Sequence, residues 1–334
     1  DAGKICASWH QYKAQEEIVR LGKKFDVNVT FFHGRGGSPG RGGGPIQATL
    51  RSQPPGSVNG KIRITDQGEV IQQKYGYEPI AEYNLCSYIG AVTEATLNPP
   101  PTPKQNWRSL IEKMSDISKS SYRKNINQSS EFIKYFKTVT PSAALGKLSI
   151  GSRPSKRKNV DNIKSLRAIP WVFAWTQIRL MLPAWLGSAE ALRYAYIKKF
   201  RRTLIDMEKN WPFFNSMLDI LDMVITKADP DISKIYEKYL ADDALKKIGK
   251  KLRFQFEVIK KLNKKITTKE IILTRKQFRT LITVRAIYSE VLNIIQPIVI
   301  YKLKKNKIMS DKKYLNDALL TSIAGISAAM KNTG

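Results

Sequence analysis

Apolar residues recur at helical spacing along most of the chain, and this pattern predicts a largely α-helical protein. Residues 3–25 form the first such segment, and Gly22 near its end favours a helix stop. Helical patterning continues to residue 97 and, after a proline-rich linker at 98–104, covers residues 105–139. Beyond residue 187 the predicted helices are 188–208, 211–227, 230–263, 267–295 and 313–331.

Four short segments have the composition of strands. Residues 27–33 (VNVTFFH) are β-branched and aromatic, and residues 60–71 (GKIRITDQGEVI) follow a turn. Residues 147–153 and 169–177 (IPWVFAWTQ) lie on either side of a basic loop at 155–165. Strands that alternate with helices and then give way to helices predict part of an α/β barrel continuing into a helical region. We therefore expect an α/β fold that is predominantly helical.

Length and composition are compatible with a well-packed globular protein, because 334 residues with 42% hydrophobic content can build a core. No apolar run approaches the length of a membrane span, since Gln177 and Arg179 interrupt the longest one. Cys6 and Cys86 lack the spacing of a disulfide framework or a zinc site. We expect both cysteines to be buried small residues in a reducing cytoplasm.

The formal net charge of +29 would fit a polyanionic partner such as nucleic acid. The charge is evenly spread, however. Residues 1–167 carry 26 Lys+Arg and 13 Asp+Glu, and residues 168–334 carry 31 and 15. A nucleic-acid interface usually concentrates its cations in a stripe or tail. The even distribution favours lysine-rich solvated faces over a dedicated interface.

The segment HGRGGSPGRGGG at 33–44 places two arginines and a histidine among glycines. Glycines tolerate positive φ and let backbone N–H groups converge on an anion, and arginine binds phosphate or carboxylate through a planar fork. The segment fits an oxyanion site in which Arg35 and Arg41 are clamps and His33 is a titratable partner. It lacks the Gly-Lys-Ser/Thr of a Walker A loop.

Two other interpretations of this segment stay open. An RGG tract for RNA also combines Arg with Gly and fits the net charge, but such tracts lie in long polar stretches. Here the apolar VTFF precedes the glycines and the patterned IQATL follows them, which favours a rigid loop. A glycine-rich turn without a ligand is the third interpretation, and the two arginines and the histidine weigh against it.

A second cationic segment spans residues 151–167 and carries Arg153 near its start and Arg167 at its end. Arg167 directly precedes a predicted strand, so its side chain is expected at a strand edge, where α/β barrels bind ligands. For the run KRK at 156–158, a solvated charged loop explains the sequence as well as a ligand-binding loop does. The aromatic side chains that follow, from Trp171 to Trp175, alternate at period two, and core packing is their simpler explanation.

Several independent motifs resemble the phosphoenolpyruvate carboxylase family. FHGRGGSPGRGGGP resembles its signature loop, and SQPPGSVNGKIRITDQGEVI, GSRPSKRK, LRAIPWVFAWTQIRLMLPAWLG, NWPFF, ITKADP and the terminal KNTG follow in the family's order. The resemblance covers the whole chain and implies roughly the C-terminal third of a bacterial-type enzyme. It implies the second part of a phosphoenolpyruvate/pyruvate-type (β/α)8 barrel with the substrate-binding loops at 1–187. A C-terminal helical region with an inhibitor site would follow at 188–334.

The activity implied by the resemblance is that of a cytoplasmic lyase for carbon dioxide fixation. It would form oxaloacetate for the tricarboxylic acid cycle from phosphoenolpyruvate and bicarbonate, with Mg²⁺ or Mn²⁺ as cofactor. By motif, Arg35, Arg153 and Arg167 would hold phosphate and carboxylate groups, and His33 would handle a proton beside the phosphoryl group. The implied reaction involves two dianionic species and an enolate, and several cations held in position before the reaction would stabilise their negative charge.

The resemblance also implies allosteric inhibition by aspartate or malate. The matching residues are Lys227 in KAD, Arg285 in VR-x-x-Y and Asn332 near the end, and Arg41 would connect the glycine-rich loop to this site. A dicarboxylate needs such a set of cations with an amide donor. If the inhibitor draws Arg41 away, inhibition follows from competition between two states of the loop. The family assembles as a homotetramer, and we expect the same here.

Three features depart from the family pattern. The family's metal-binding acids and its TAHPTE-type histidine have no counterpart in this chain, so we expect the metal ligands in an N-terminal part and no stand-alone activity. The basic loop reads RKNVDN at 157–162 where the family has RP-x-GG, which puts its closing motion in question. The high positive charge is the third departure. An inactive remnant and an RGG-type nucleic-acid module stay open as alternatives.

Overall fold

The structure, a computed structural model, describes residues 2–33, 46–65, 68–126, 130–145, 168–267, 272–305 and 309–330. Helices account for most of these residues, as the hydrophobic period predicts. In chain order the helices are α1 (Lys4–Lys24), α2 (Ile46–Arg51), α3 (Gly68–Tyr75), α4 (Glu78–Leu97), α5 (Gln105–Ile126), α6 (Ser130–Val139), α7 (Ala168–Gln177), α8 (Ser188–Ile197), α9 (Arg201–Asn210), α10 (Pro212–Lys227), α11 (Pro230–Leu240), α12 (Asp243–Ile266), α13 (Ile272–Lys305) and α14 (Met309–Ala329). A 3-10 turn, Leu182–Ala184, lies between α7 and α8.

Strand structure within the described ranges is confined to one parallel pair, β1 (Phe32–His33) and β2 (Arg63–Ile64). Phe32 pairs with Arg63 and His33 with Ile64, and α2 lies between the two strands in sequence. Parallel neighbours need such a crossover, so this unit agrees with the expected α/β character. The (β/α)8 barrel itself stays a prediction.

Two strands are shorter in the structure than the sequence pattern predicts. Of residues 27–33 the last two form a strand, and among the residues of 60–71 that the structure describes the strand is limited to Arg63 and Ile64. The end of the second segment belongs instead to α3, which begins at Gly68. Apolar–polar alternation over so few residues does not distinguish a strand from a helix or a loop, and contacts with the rest of the fold decide which one forms.

The prediction of a strand at 169–177 is wrong, because these residues form α7. The segment is apolar almost throughout, so it satisfies the helical period as well as the strand period. In the helix Trp171 and Trp175 lie one turn apart and meet edge to face, with ring centroids 5.5 Å apart. Phe173 is buried with them, which confirms core packing for these aromatic residues. The strand that was predicted to follow Arg167 in the sequence is therefore replaced by a helix that begins at Ala168.

Two smaller differences concern a helix boundary and a cysteine. The predicted helix at 230–263 is interrupted after Leu240, because Asp242 caps a new helix by accepting the N–H of Leu245 at 2.9 Å. Cys6 is buried as expected. Cys86 is exposed on α4, so the expectation of burial is wrong for that residue.

The main hydrophobic core joins the first helices of the chain to the later ones. Helix α5 packs against α1 and α8, and α12 packs against α6 and α8. Trp107 of α5 stacks on Trp211 before α10, with ring centroids 5.8 Å apart, and Trp9 of α1 meets Trp211 edge to face at 5.9 Å. Burying each of these large rings stabilises the fold by roughly 2–3 kcal/mol, so they hold α1, α5 and α10 together.

The motif ITKADP folds as a tight connection between α10 and α11. Helix α10 ends at Lys227, and α11 begins at Pro230, whose fixed φ suits a first helical position. Asp229 caps α11, because its carboxylate accepts the backbone N–H groups of Asp231 and Ile232 at 2.9 and 3.2 Å. This capping places Lys227 at a defined point between two helices.

Candidate functional site

His33, Lys227 and Arg285 are the predicted site residues that the structure describes. The other predicted site residues lie outside the described residues, and their assignments stay predictions. They are Arg35, Arg41, Arg153, Arg167 and Asn332.

His33 ends β1 and is 6% exposed. Its backbone carbonyl accepts the N–H of Thr65 at 2.9 Å, which extends the pairing with β2 by one step. Burial lowers the pKa of the imidazole below 6.5, because desolvation disfavours the charged form. At neutral pH the ring is therefore neutral, and it offers one nitrogen as an acceptor and one N–H as a donor. The pairing fixes its backbone immediately before the glycine-rich segment.

Lys227 is the last residue of α10 and is 9% exposed. A cation is favoured there, because unpaired carbonyl groups give the C-terminus of a helix a partial negative charge. The backbone carbonyl of Lys227 accepts a hydrogen bond from Nε of Arg179 at 2.9 Å. Its position is therefore determined both by α10 and by a residue distant in sequence.

Arg179 follows α7 and holds the α10–α11 connection at two points. Its side chain donates to the carbonyl of Lys227, and its own carbonyl accepts the N–H of Asp229 at 2.7 Å. The backbone of Arg179 has φ 55°, in the left-handed region, which costs a non-glycine residue roughly 1–2 kcal/mol. Such a conformation persists where surrounding contacts impose it. The two hydrogen bonds to the connection are contacts of this kind.

Arg285 is half-buried on α13, and the structure connects this part of α13 to the same arginine. Nη1 of Arg179 lies 3.4 Å from Oγ of Ser289, one helical turn beyond Arg285. Residues four apart share a helix face, so Arg285 lies on the face of α13 that Arg179 contacts. The structure thus places Lys227 and Arg285 on two elements that meet at Arg179.

A buried polar layer lies next to this junction and joins α7, α11, α13 and α14. The carbonyl of Gln177 accepts from Nδ2 of Asn293 at 2.7 Å, and the hydroxyl of Tyr236 donates to Oε1 of Gln296 at 2.8 Å. Gln296 in turn donates to Oε1 of Gln177 and to Oγ of Ser322, both at 3.0 Å. These side chains are almost fully buried, so their hydrogen bonds are made in a low dielectric and fix the register of the helices.

Arg179 and Gln177 are site residues that the sequence did not predict, and in the sequence they stand out only as interruptions of the apolar run at 169–187. That interruption is the available signal, because charged and amide side chains are rarely buried without a specific partner. The partners lie 48 or more positions away in sequence, so the sequence alone does not identify them.

The described part of the chain contains no group of three or more His, Cys, Asp or Glu residues arranged to hold a metal ion. No helix in the same ranges is long and apolar enough to cross a membrane.

Comparison with known proteins identifies the family. A family model described as phosphoenolpyruvate carboxylase matches residues 1–334. The phosphoenolpyruvate carboxylases of Marinomonas sp. (strain MWYL1) and Shewanella sediminis are each 44% identical to this chain over 335 residues. That of Acinetobacter baumannii is 44% identical over 347 residues. Each match covers the whole of this chain, which spans 38% of the relative's length. The chain belongs to the phosphoenolpyruvate carboxylase family.

Proposed function

We propose that this chain is part of an enzyme that forms oxaloacetate and phosphate from phosphoenolpyruvate and bicarbonate. The observation that carries the proposal is the match of the family model to residues 1–334. Because the chain spans 38% of the length of its relatives, we assign to it the substrate clamps and the inhibitor site. The metal ligands and the remaining catalytic groups are assigned to the part of the relatives outside this match.

The proposed reaction has two stages. A bicarbonate oxygen attacks the phosphorus of phosphoenolpyruvate, and the bond from phosphorus to the enol oxygen breaks, giving carboxyphosphate and the enolate of pyruvate. Carboxyphosphate then loses phosphate and releases CO₂, and the enolate carbon forms a bond to that CO₂. Negative charge moves between groups in both stages, so cations held in place before reaction stabilise the transition states.

Arg35, Arg153 and Arg167 are the proposed clamps for phosphate and carboxylate groups. The guanidinium is planar and permanently charged, and it binds such groups through two parallel hydrogen bonds. Arg41 is proposed to link the glycine-rich loop to the inhibitor site. These roles rest on the family motifs that the four residues occupy in the sequence.

His33 is proposed as the proton-handling partner beside the phosphoryl group or the carboxyphosphate. Its lowered pKa supports this role, because a neutral imidazole can accept the proton that bicarbonate loses. Its fixed backbone on β1 also supports it, because a general base must hold its geometry within hydrogen-bond reach of its target.

Lys227, Arg285 and Asn332 are proposed to bind aspartate or malate as a feedback inhibitor. The meeting of α10 and α13 at Arg179 supports the proposal for the first two residues. A dicarboxylate carries two negative charges, and cations on two separate elements can each take one of them. Binding of Arg41 by the inhibitor would withdraw it from the catalytic loop.

The parallel β1–α2–β2 unit supports placing residues 1–187 in a (β/α)8 barrel, and the succession of described helices from α8 to α14 supports a helical region at 188–334. A homotetramer is proposed for the assembled protein. A sedimentation experiment that finds only monomers of the complete polypeptide would contradict that assembly.

The proposal is tested by bicarbonate-dependent oxaloacetate formation in the complete native polypeptide that carries this sequence. Its intact mass is measured first, because a mass near 37.9 kDa would call for a separate chain to complete the site. We expect Arg35→Gln to lower kcat/KM by roughly 10²–10³-fold, the usual effect of removing one transition-state donor.

Arg20→Gln is the matched control for this substitution. Arg20 forms an exposed ion pair with Glu17 at 2.6 Å on α1, and such exposed pairs contribute little to stability. We expect the Arg20 variant to retain the parent kcat/KM within about twofold. Equal loss in both variants, or oxaloacetate formation independent of bicarbonate, would overturn the proposed function.

A further inference from the structure

We propose that Arg179 is a positioning residue of the dicarboxylate site, which holds Lys227 and Arg285 in a fixed relation and adds its own buried charge. The inference rests on the proposed inhibitor site and extends it to a residue that the family motifs do not assign. The observation behind it is that one guanidinium contacts both elements of the site.

Arg179 fixes the backbone at Lys227. Nε of Arg179 donates to the carbonyl of Lys227 at 2.9 Å, and the carbonyl of Arg179 accepts the N–H of Asp229 at 2.7 Å. Asp229 is fixed further by capping α11. The direction in which the Lys227 side chain leaves the backbone is therefore determined by Arg179 as well as by the end of α10.

Arg179 and the neighbouring Gln177 also fix the position of α13. Nη1 of Arg179 reaches Ser289, and two residues earlier in the chain the carbonyl of Gln177 accepts from Asn293. Ser289 and Asn293 lie on successive turns of α13, and both are fully buried. Residues 177–179 thus fix the rotation of α13 about its axis and its position along that axis. Arg285 lies one helical turn before Ser289, the first of the two contacts.

Arg179 also contributes a buried positive charge. Arg179 is 3% exposed, and the groups that its guanidinium contacts in the described part of the chain are a neutral carbonyl and a neutral hydroxyl. Asp229 and Glu290 attract it at longer range, whereas burial lowers its pKa. An arginine nevertheless stays protonated in proteins, so the site contains a buried positive charge that is only partly compensated. An anion bound at Lys227 and Arg285 would be attracted to this charge as well.

An arginine suits position 179 because of its shape as well as its charge. The guanidinium donates in two directions at once, to a carbonyl from Nε and to a hydroxyl from Nη1. Lysine would keep the charge but has a single nitrogen on a flexible stem. Glutamine would lose the charge and the long reach together. Arg179→Lys and Arg179→Gln therefore separate the contribution of charge from that of geometry.

The experiment measures L-aspartate and L-malate binding to the complete native polypeptide by calorimetry. We expect Arg179→Gln to raise the Kd for L-aspartate at least about tenfold, the size of one lost hydrogen bond to a charged group. Arg179→Lys should show an intermediate effect. Ser289→Ala removes the contact of the Arg179 guanidinium to α13 and leaves the contact to Lys227, and we expect it to raise the Kd by about threefold.

Arg253→Gln is the control for a purely structural effect. Arg253 is another well-buried arginine of the helical region, with a side chain that is 14% exposed and is bound to Glu237 of α11. Its loss should lower the thermal unfolding midpoint as the loss of Arg179 does. We expect the Kd for L-aspartate to stay within about twofold of the parent in the Arg253 variant.

The outcomes distinguish this inference from the proposed function. If the parent protein binds neither L-aspartate nor L-malate, the inhibitor site itself fails and the role of Arg179 fails with it. If the parent binds and Arg179→Gln leaves the Kd within twofold, the site stands and the positioning role is overturned. Should Arg179→Gln fail to fold, unchanged Kd values in both Arg179→Lys and Ser289→Ala would overturn it equally.

Discussion

The imidazole of His33 illustrates how burial of one residue sets a chemical property. Its pKa is lowered because the folded chain desolvates the ring, whereas the unfolded chain leaves it near 6.5. Below pH 6.5 the unfolded state therefore binds more protons at this residue than the folded state does. The contribution of His33 to stability is complete above that pH and is lost as the pH falls towards the folded pKa.

We predict that the His33 resonance titrates below pH 6.5 in a histidine NMR titration of the complete polypeptide. The signal is identified by its absence from the His33→Gln variant, and His10→Gln, on the exposed side of α1, serves as the assignment control. The His33→Gln variant should lose less free energy of unfolding between pH 7.5 and 5.5 than the parent does. A titration midpoint above 6.5 would contradict both the burial effect and the proposed role as a base.

At the scale of the element, packing determines whether a glycine in a helix is a weak point. Gly249 lies inside α12, and a Cβ built there would overlap the carboxylate of Glu237. That carboxylate cannot move freely, because Tyr135 donates to it at 2.8 Å and Arg253 also binds it. Gly90 lies inside α4 with open space around its Cβ position.

We predict opposite effects for alanine at these two glycines. Gly249→Ala should lower the free energy of unfolding by about 1–3 kcal/mol, because a side chain is forced into a filled space. Gly90→Ala should raise it by about 0.5–1 kcal/mol, because alanine favours helix and nothing is displaced. Urea unfolding of both variants provides the measurement, and stabilisation by Gly249→Ala would contradict the close contact with Glu237.

At the scale of the whole molecule, the net charge of +29 calls for a direct test of nucleic-acid binding. Family membership and the even spread of lysines favour solvated faces, so we predict no strong RNA binding at physiological ionic strength. Fluorescence anisotropy with a labelled single-stranded RNA, repeated over a salt series, measures this. Tight binding with log K falling linearly with log salt would support the RGG interpretation instead.

The sequence by itself determined the helical architecture and the family. Amphipathic period and capping residues are local properties, so α1, the beginning of α5, the end of α10 and the beginning of α11 could be predicted from a few neighbouring residues, whereas the break between α11 and α12 was not predicted. The motifs around His33, Lys227 and Arg285 were likewise sufficient to propose a function, because each motif is continuous in the chain.

Only the tertiary structure decided the state of α7 and the role of Arg179. Residues 169–177 are apolar on every side, so their period does not distinguish strand from helix, and their packing partners settle the matter. Arg179 contacts a carbonyl 48 positions away and a hydroxyl 110 positions away. Such contacts arise when the helices pack together, because local periodicity carries no information about which distant groups will meet.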